Sequence, residues 1–285
     1  MPIYPLKTLD VEAGASAMYD EWLGEIGEAL ERGDDRWELC RRTLTGIFHP
    51  HLAGVDPKSL PLAAQAALAQ MDARNVTLEP EYYAEVDVAK FDERKPLLWM
   101  WQMFDRSPLG GNVHLGVRFR RALAPYLFRR VGKNFKCFHF VEFSYGYNLE
   151  VGDDVVVHRN VLLDDRGGIV LGNGVSISDY ANIYSHTHDI VDQRDVSNLQ
   201  TVIGDGVRIT YHATVLAGTH VGESGMVGAM AVATRDVRPY HVYVGIPAKS
   251  VRVKPNAPPE AYKTILRQPG SSAEAAAANA NGAGE

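Results

Sequence analysis

Two cysteines in 285 residues, Cys40 and Cys137, are too few for a disulfide framework or a cysteine metal cluster, so the chain reads as one with reduced, structural thiols. A basic surplus is missing too. The 29 lysines and arginines stand against 35 aspartates and glutamates, and the net charge of -6 has the wrong sign for a general nucleic-acid binder. No apolar run approaches the roughly 18 residues that a bilayer span needs, and the opening MPIYPLKTLD lacks the basic and apolar segments of a secretion signal. Together these absences place the expected location in the cytoplasm. A chain of this length accommodates one large or two modest domains with a substantial core.

What the sequence does have is a period of six. Ile203, Ile209, Val215, Val221, Val227 and Ala233 fall six residues apart, and Val207, Ala213, Thr219, Gly225, Ala231 and Val237 lie four positions after each. Six matches neither the 3.6-residue period of an amphipathic helix nor the two-residue period of an ordinary strand. Helix is further opposed by Gly204, Gly206, Gly218, Gly222, Gly225 and Gly228, each costing about 1 kcal/mol relative to alanine, and by β-branched residues that prefer extended backbone. The reading that remains is a solenoid of short strands and corners: the aliphatic points inward, the small residue four places on lies at the bend, and three such units close a triangular coil. The register continues upstream through Val151, Val157 and Leu163, then Leu171, Ile177 and Ile183, with VGDD, LGNG, IGDG and VGES as polar corners. Two segments break it, Asp164 to Gly168 and Asp189 to Thr201. Interruptions of a regular coil land as loops on one face, where function tends to sit.

The first 130 residues read as a helical cap or arm. Helical spacing runs through DVEAGASAMYDEWLGEIGEALERG, stopped by Gly33, and through DDRWELCRRTLTGIF, started by Asp34 or Asp35; SLPLAAQAALAQMDA is a third candidate, with Ser59 as cap. A solenoid end exposes unpaired backbone and apolar core, so a covering element answers a physical need. Two basic, aromatic stretches follow, 95–104 (KPLLWMWQMF) and 117–130 (VRFRRALAPYLFRR). They admit contact with an anionic membrane or lipid-linked acceptor, or packing with arginines snorkelling to water. Pro125 interrupts any long amphipathic helix there and favours packing. The division expected is 1–130 helical, 131–253 coil, and 254–285 an extension ending in a low-complexity tail, SSAEAAAANANGAGE, expected to be disordered.

From Gly132 to Val253 the ordered set YGYNLEVGDDV, VLLDD, IYSHTHDI, VIGDGVRI, AVATRDV and VGIPAKSV resembles the hexapeptide-repeat acyltransferases, in particular the maltose, galactoside and nodulation-factor O-acetyltransferase group. The resemblance implies a left-handed parallel β-helix, a homotrimer with active sites between subunits, and acetyl-CoA or another acyl-CoA as donor, with no metal required. It places the catalytic histidine at His188, whose next residue is Asp189 where the sugar acetyltransferases have proline. His186, one residue removed along extended backbone, is the competing candidate. Direct transfer needs a base for the acceptor proton, which neutral imidazole suits.

By the same resemblance Asp165 matches an acceptor-binding aspartate; capping the turn before Gly167 and Gly168 is the other role open to it. His158 stands where those relatives carry an asparagine, so maltose or galactoside is not carried across. Ala229, Thr234, Arg235, Lys249 and Arg252 match coenzyme A positions: small residues for the pantetheine groove, cations for the phosphates. His158, His212, His220 and His241 otherwise read as structural or exposed. The acceptor expected is a sugar or glycoconjugate hydroxyl. Alternatives are an amino-sugar N-acetyltransferase and a γ-class zinc carbonic anhydrase on the same helix, which would need paired histidines at a spacing that His212 and His220 lack.

Overall fold

A computed structural model describes residues 9–263. The tail SSAEAAAANANGAGE and the opening MPIYPLKT lie outside them. The chain forms two compact units: one runs up to Thr77 and resumes over Lys95–Leu123; the other comprises Leu78–Arg94 and the chain from Ala124 onward.

The helices are α1 (Ala13–Arg32), α2 (Arg36–Phe48), α3 (Leu62–Ala69), α4 (Val88–Arg106) and α5 (Val113–Leu127). Gly33 ends α1 in the left-handed region at φ 75°, its N–H turned back to the carbonyls of α1, and Asp35 caps α2 by accepting from Trp37 N at 2.8 Å. The third helix starts later than the sequence suggests. Pro61, with φ already near helical values at -58°, holds its N-cap, and Ser59 closes a preceding 3-10 turn instead. Both basic, aromatic stretches are helical, the second as far as Leu127, and Pro125 removes one i→i−4 hydrogen bond two residues before α5 ends. Within the first unit, Phe104 stacks on Phe119 at 3.8 Å, Trp22 stacks on Phe119 at 5.8 Å, and the buried Arg120 pairs with Asp105. Arg118 pairs with Asp20. In the second unit, Arg129 and Arg130 both reach Glu150, at 3.4 and 3.3 Å. Four of the five arginines of 117–130 thus pair with carboxylates, Arg120 in the interior and Arg129 and Arg130 at the surface.

The second unit is a parallel β-solenoid with three sheets of five, seven and five described strands. One stacks Arg130–Val131, Leu149–Val151, Ile169–Leu171, Thr201–Ile203 and His220–Val221; another begins at Lys136–Cys137 and ends with Lys249–Val253 added antiparallel to His241–Val244; the third stacks Glu142–Phe143, Leu162–Asp164, Asn182–Tyr184, Thr214–Val215 and Val232–Ala233. The aliphatics of the six-residue period are its core: Val151, Val157, Leu171, Ile177, Ile183, Ile203, Ile209, Val215, Val221 and Val227 are all 0% exposed.

The corners divide the labour more finely than the sequence suggests. In VGDD the glycine is required by close approach, since a Cβ on Gly152 would lie 2.7 Å from Gly172 C of the next coil. The left-handed position falls two residues later, on Asp154 at φ 57°. The residue between them carries a ladder: Asn173 Oδ1 accepts from Asp153 N at 2.8 Å and Asp205 Oδ1 from Asn173 N at 2.7 Å.

Candidate active site

The coil is interrupted after the strand Asn182–Tyr184. Instead of turning into the next sheet, His186–His188 pairs antiparallel with Val196–Asn198, in the register His186 to Asn198 and His188 to Val196. Asp189 builds the turn between them. Its carboxylate accepts from Val191 N at 2.7 Å and Asp192 N at 3.0 Å, and its own N–H donates to Asp195 O. The backbone donors Asp192 N and Val191 N hold that carboxyl below the usual range. Asp189 therefore shapes the loop that carries the histidines.

The two rings stand edge to face, centroids 5.3 Å apart, as expected for alternate residues of an extended strand. Their partners differ. His188 is exposed, and its Nδ1 lies 2.5 Å from the Gln193 carbonyl oxygen. A carbonyl only accepts, so Nδ1 is the donor, and in the neutral imidazole Nε2 is then the nitrogen with the lone pair. His186 is largely buried, with Nδ1 against Asp164 Oδ2. The contact has ion-pair geometry without an in-line hydrogen bond, and neither atom has another hydrogen-bond partner. Asp164 is itself held: Oδ1 accepts from Ser144 Oγ at 2.9 Å, and its carbonyl accepts from Ser185 Oγ.

Asp164 is the site residue that sequence reasoning passed over in favour of its neighbour. Asp165 is 0% exposed and accepts from Tyr145 N at 2.7 Å and Asn148 N at 3.3 Å, so its carboxylate caps a turn of the preceding coil rather than the turn before Gly167 and Gly168. Burial pushes its carboxyl up to about 6, against those backbone donors. A signal for Asp164 did exist: it directly follows the inward Leu163 and lies in register with Tyr184, so its coil runs directly beside the start of the hairpin.

The remaining predicted residues are distributed along the solenoid. Thr234 and Arg235 follow Val232–Ala233, two strands from Asn182–Tyr184 in the same sheet, a separation of about 10 Å at normal strand spacing. Ala229 occupies the turn before that strand, and Lys249 and Arg252 lie on the antiparallel last strand. All five are exposed, and Arg235, Lys249 and Arg252 make no ion pair among the described residues. His158 is not brought to the hairpin. It stacks on Phe138, centroids 5.0 Å apart, at the corner where the chain enters the strand that Asp164 ends. His212 stacks on Tyr180, and His241 is buried between Ser250 Oγ and Ala261 O, where desolvation holds its imidazole below the ordinary value.

No protein-family model matches the chain. It is 26% identical over 140 residues to the galactoside O-acetyltransferase of Escherichia coli (strain K12), an alignment covering 48% of this chain and 69% of that protein. It is 30% identical over 137 residues to a protein of Staphylococcus aureus (strain COL) named as an acetyltransferase, covering 47% and 69%. Among solved structures, a maltose O-acetyltransferase from Clostridium difficile superposes with a TM-score of 0.52 at 26% identity, over 61% of this chain and 91% of that one. A galactoside acetyltransferase in complex with coenzyme A shares the fold, with a TM-score of 0.53 at 21% identity over 66% and 91%.

Proposed function

The chain belongs to the hexapeptide-repeat acetyltransferases, and on that premise we propose that it transfers an acetyl group from acetyl-coenzyme A directly to a hydroxyl of a sugar or glycoconjugate, with His188 as general base. The observation that carries the reading is the His188 Nδ1 contact to Gln193 O at 2.5 Å. It orients the ring at an exposed position so that in the neutral imidazole Nε2 is the acceptor. The acceptor hydroxyl gives its proton to Nε2 as its oxygen attacks the thioester carbonyl carbon. The tetrahedral oxyanion then collapses, the C–S bond breaks, and the departing thiolate takes the proton back from the imidazolium. No covalent enzyme intermediate is needed, because a groove that aligns donor and acceptor supplies much of the rate through positioning.

Donor recognition is assigned to the C-terminal end of the solenoid, across two of its sheets. Exposed Arg235, Lys249 and Arg252, which make no ion pair among the described residues, offer cations to coenzyme A phosphates, and Ala229 and Thr234 offer a small-residue wall to the pantetheine arm. The working unit of this proposal is a cytoplasmic homotrimer with the groove between subunits; exposed Phe140, Tyr180 and Met230, at 40%, 45% and 64%, line one corner of the coil and suit such a contact. A second reading, supported by the Asp164 contact, gives the base to His186, because an imidazole oriented by a buried carboxylate is a recurrent general-base arrangement. Alanine variants at each position decide: the base is the one whose removal abolishes acetyl transfer while coenzyme A still binds.

A further inference from the structure

The hairpin bearing both histidines is a two-stranded sheet with no third strand beside it among the described residues. Two strands alone are marginally stable in water, so its position depends on what its side chains and flanks touch. One support is Asp164 beneath His186. The other comes from far away in sequence, from the segment Leu78–Arg94, which belongs to the solenoid unit although it precedes the solenoid by dozens of residues.

Within that segment Glu85 is the convergence point. Its carboxylate accepts from Arg166 Nε at 2.7 Å and from Arg166 Nη2, and the Asn198 side chain adds to what favours its ionised form. Asn198 is the residue paired with His186 across the hairpin. Burial alone would raise the Glu85 carboxyl; its own backbone N–H, Arg166 and Asn198 outweigh this and hold it below the usual carboxylate range. Arg166 is 7% exposed, its guanidinium lies 3.9 Å from the centroid of the Tyr83 ring, and its carbonyl accepts from Asn148 Nδ2. The next residue, Gly167, donates its N–H to Ser185 Oγ, and a Cβ there would lie 2.1 Å from Ser185 O and 2.5 Å from Leu199 N. Backbone from 166–167, 185 and 199 is therefore in direct contact at the foot of the hairpin.

We propose that Glu85 is a positioning residue for acyl transfer: by pairing with Arg166 it holds the Arg166–Gly167 corner against Ser185 and Leu199 at the foot of the hairpin, and through it the placement of the His186 and His188 rings. The catalytic half of this inference rests on the function proposed above; the mechanical half does not.

The test uses the full chain with Glu85→Ala and Glu85→Gln, the second keeping an oxygen for Arg166. Hydrogen exchange over 186–198 is expected to accelerate about tenfold or more in Glu85→Ala and little in Glu85→Gln, with the sheet amides of 201–233 unchanged. In the same variants kcat is expected to fall about tenfold or more for alanine, with KM for acetyl-CoA within about twofold and substantial rescue by glutamine. Unchanged exchange over 186–198 in Glu85→Ala overturns the proposal whatever the activity. A loosened hairpin with unchanged kcat overturns the positioning role and leaves only a structural tie. General loss of protection across the sheets, in the glutamine variant as well, overturns the proposal in favour of a folding role. If the wild type transfers no acetyl group, the proposed function fails, and the exchange measurement still decides whether Glu85 holds the hairpin.

Discussion

Asp164 and His186 meet across successive coils: Asp164 ends the strand Leu162–Asp164, and its sheet neighbour Asn182–Tyr184 runs on into the hairpin that opens at His186. The aspartate is 4% exposed, with Ser144 on one oxygen and the imidazole on the other. Removing either partner therefore leaves a buried polar group short of a contact, at a cost of about 1–3 kcal/mol.

The pair should behave as a unit. Asp164→Asn and His186→Ala are each expected to lower acetyl transfer, and the double variant to cost less than their sum, with a coupling of about 0.5–3 kcal/mol. A double-mutant cycle on turnover and on urea stability measures it, and additive effects in both would show the contact to be inert.

Arg235 should act on the donor alone. As an exposed cation with no ion pair among the described residues, it suits a charge-assisted phosphate contact worth about 1.5–3 kcal/mol. Arg235→Ala is expected to weaken coenzyme A binding about tenfold in calorimetry while turnover at saturating donor stays near wild type. Unchanged donor affinity would remove Arg235 from the donor site.

The buried carboxyl of Asp165 gives stability a pH dependence of unusual sign. Its folded value of about 6 lies above the unfolded value, so the native state binds the proton more tightly. That contribution is fully present below about pH 4 and is lost as pH rises through about 6. Relative to Asp165→Asn, wild type should gain about 2 kcal/mol in urea unfolding on going from pH 7 to pH 4.5. A constant difference between the two proteins would show that Asp165 is ionised in the fold throughout.

In the helical unit, Arg120 and Asp105 are 1% and 4% exposed and paired, with Arg120 Nη2 also donating to Gly110 O at 2.8 Å. Arg120→Met is expected to destabilise by about 3–5 kcal/mol because it strands a buried carboxylate, and Asp105→Leu on top of it to recover part of the loss. Thermal unfolding of the three proteins tests the order.

The solenoid was legible because its constraint is periodic: every sixth residue must fill the prism interior, and the inward positions from Val151 to Val227 are buried as the spacing required. The hairpin was legible as a break in the count, but its pairing was not, since antiparallel register depends on where the chain returns. Asp165 and Asp164 could not be told apart by composition. One lies under the corner, taken by backbone amides, and the other faces the hairpin. Glu85 had no sequence signal at all, because the distance that matters to it runs through folded space to Arg166 and Asn198.

The central claim is acetyl transfer by a histidine on the interrupted coil. Thiol release from acetyl-CoA, measured against a panel of sugars, nucleotide sugars and amino sugars with wild type and His188→Ala, tests it most directly. The account predicts release that depends on a hydroxyl acceptor and disappears in His188→Ala, while coenzyme A binding and assembly state are retained. Full release in His188→Ala, or failure of the wild type to bind coenzyme A at all, would contradict it.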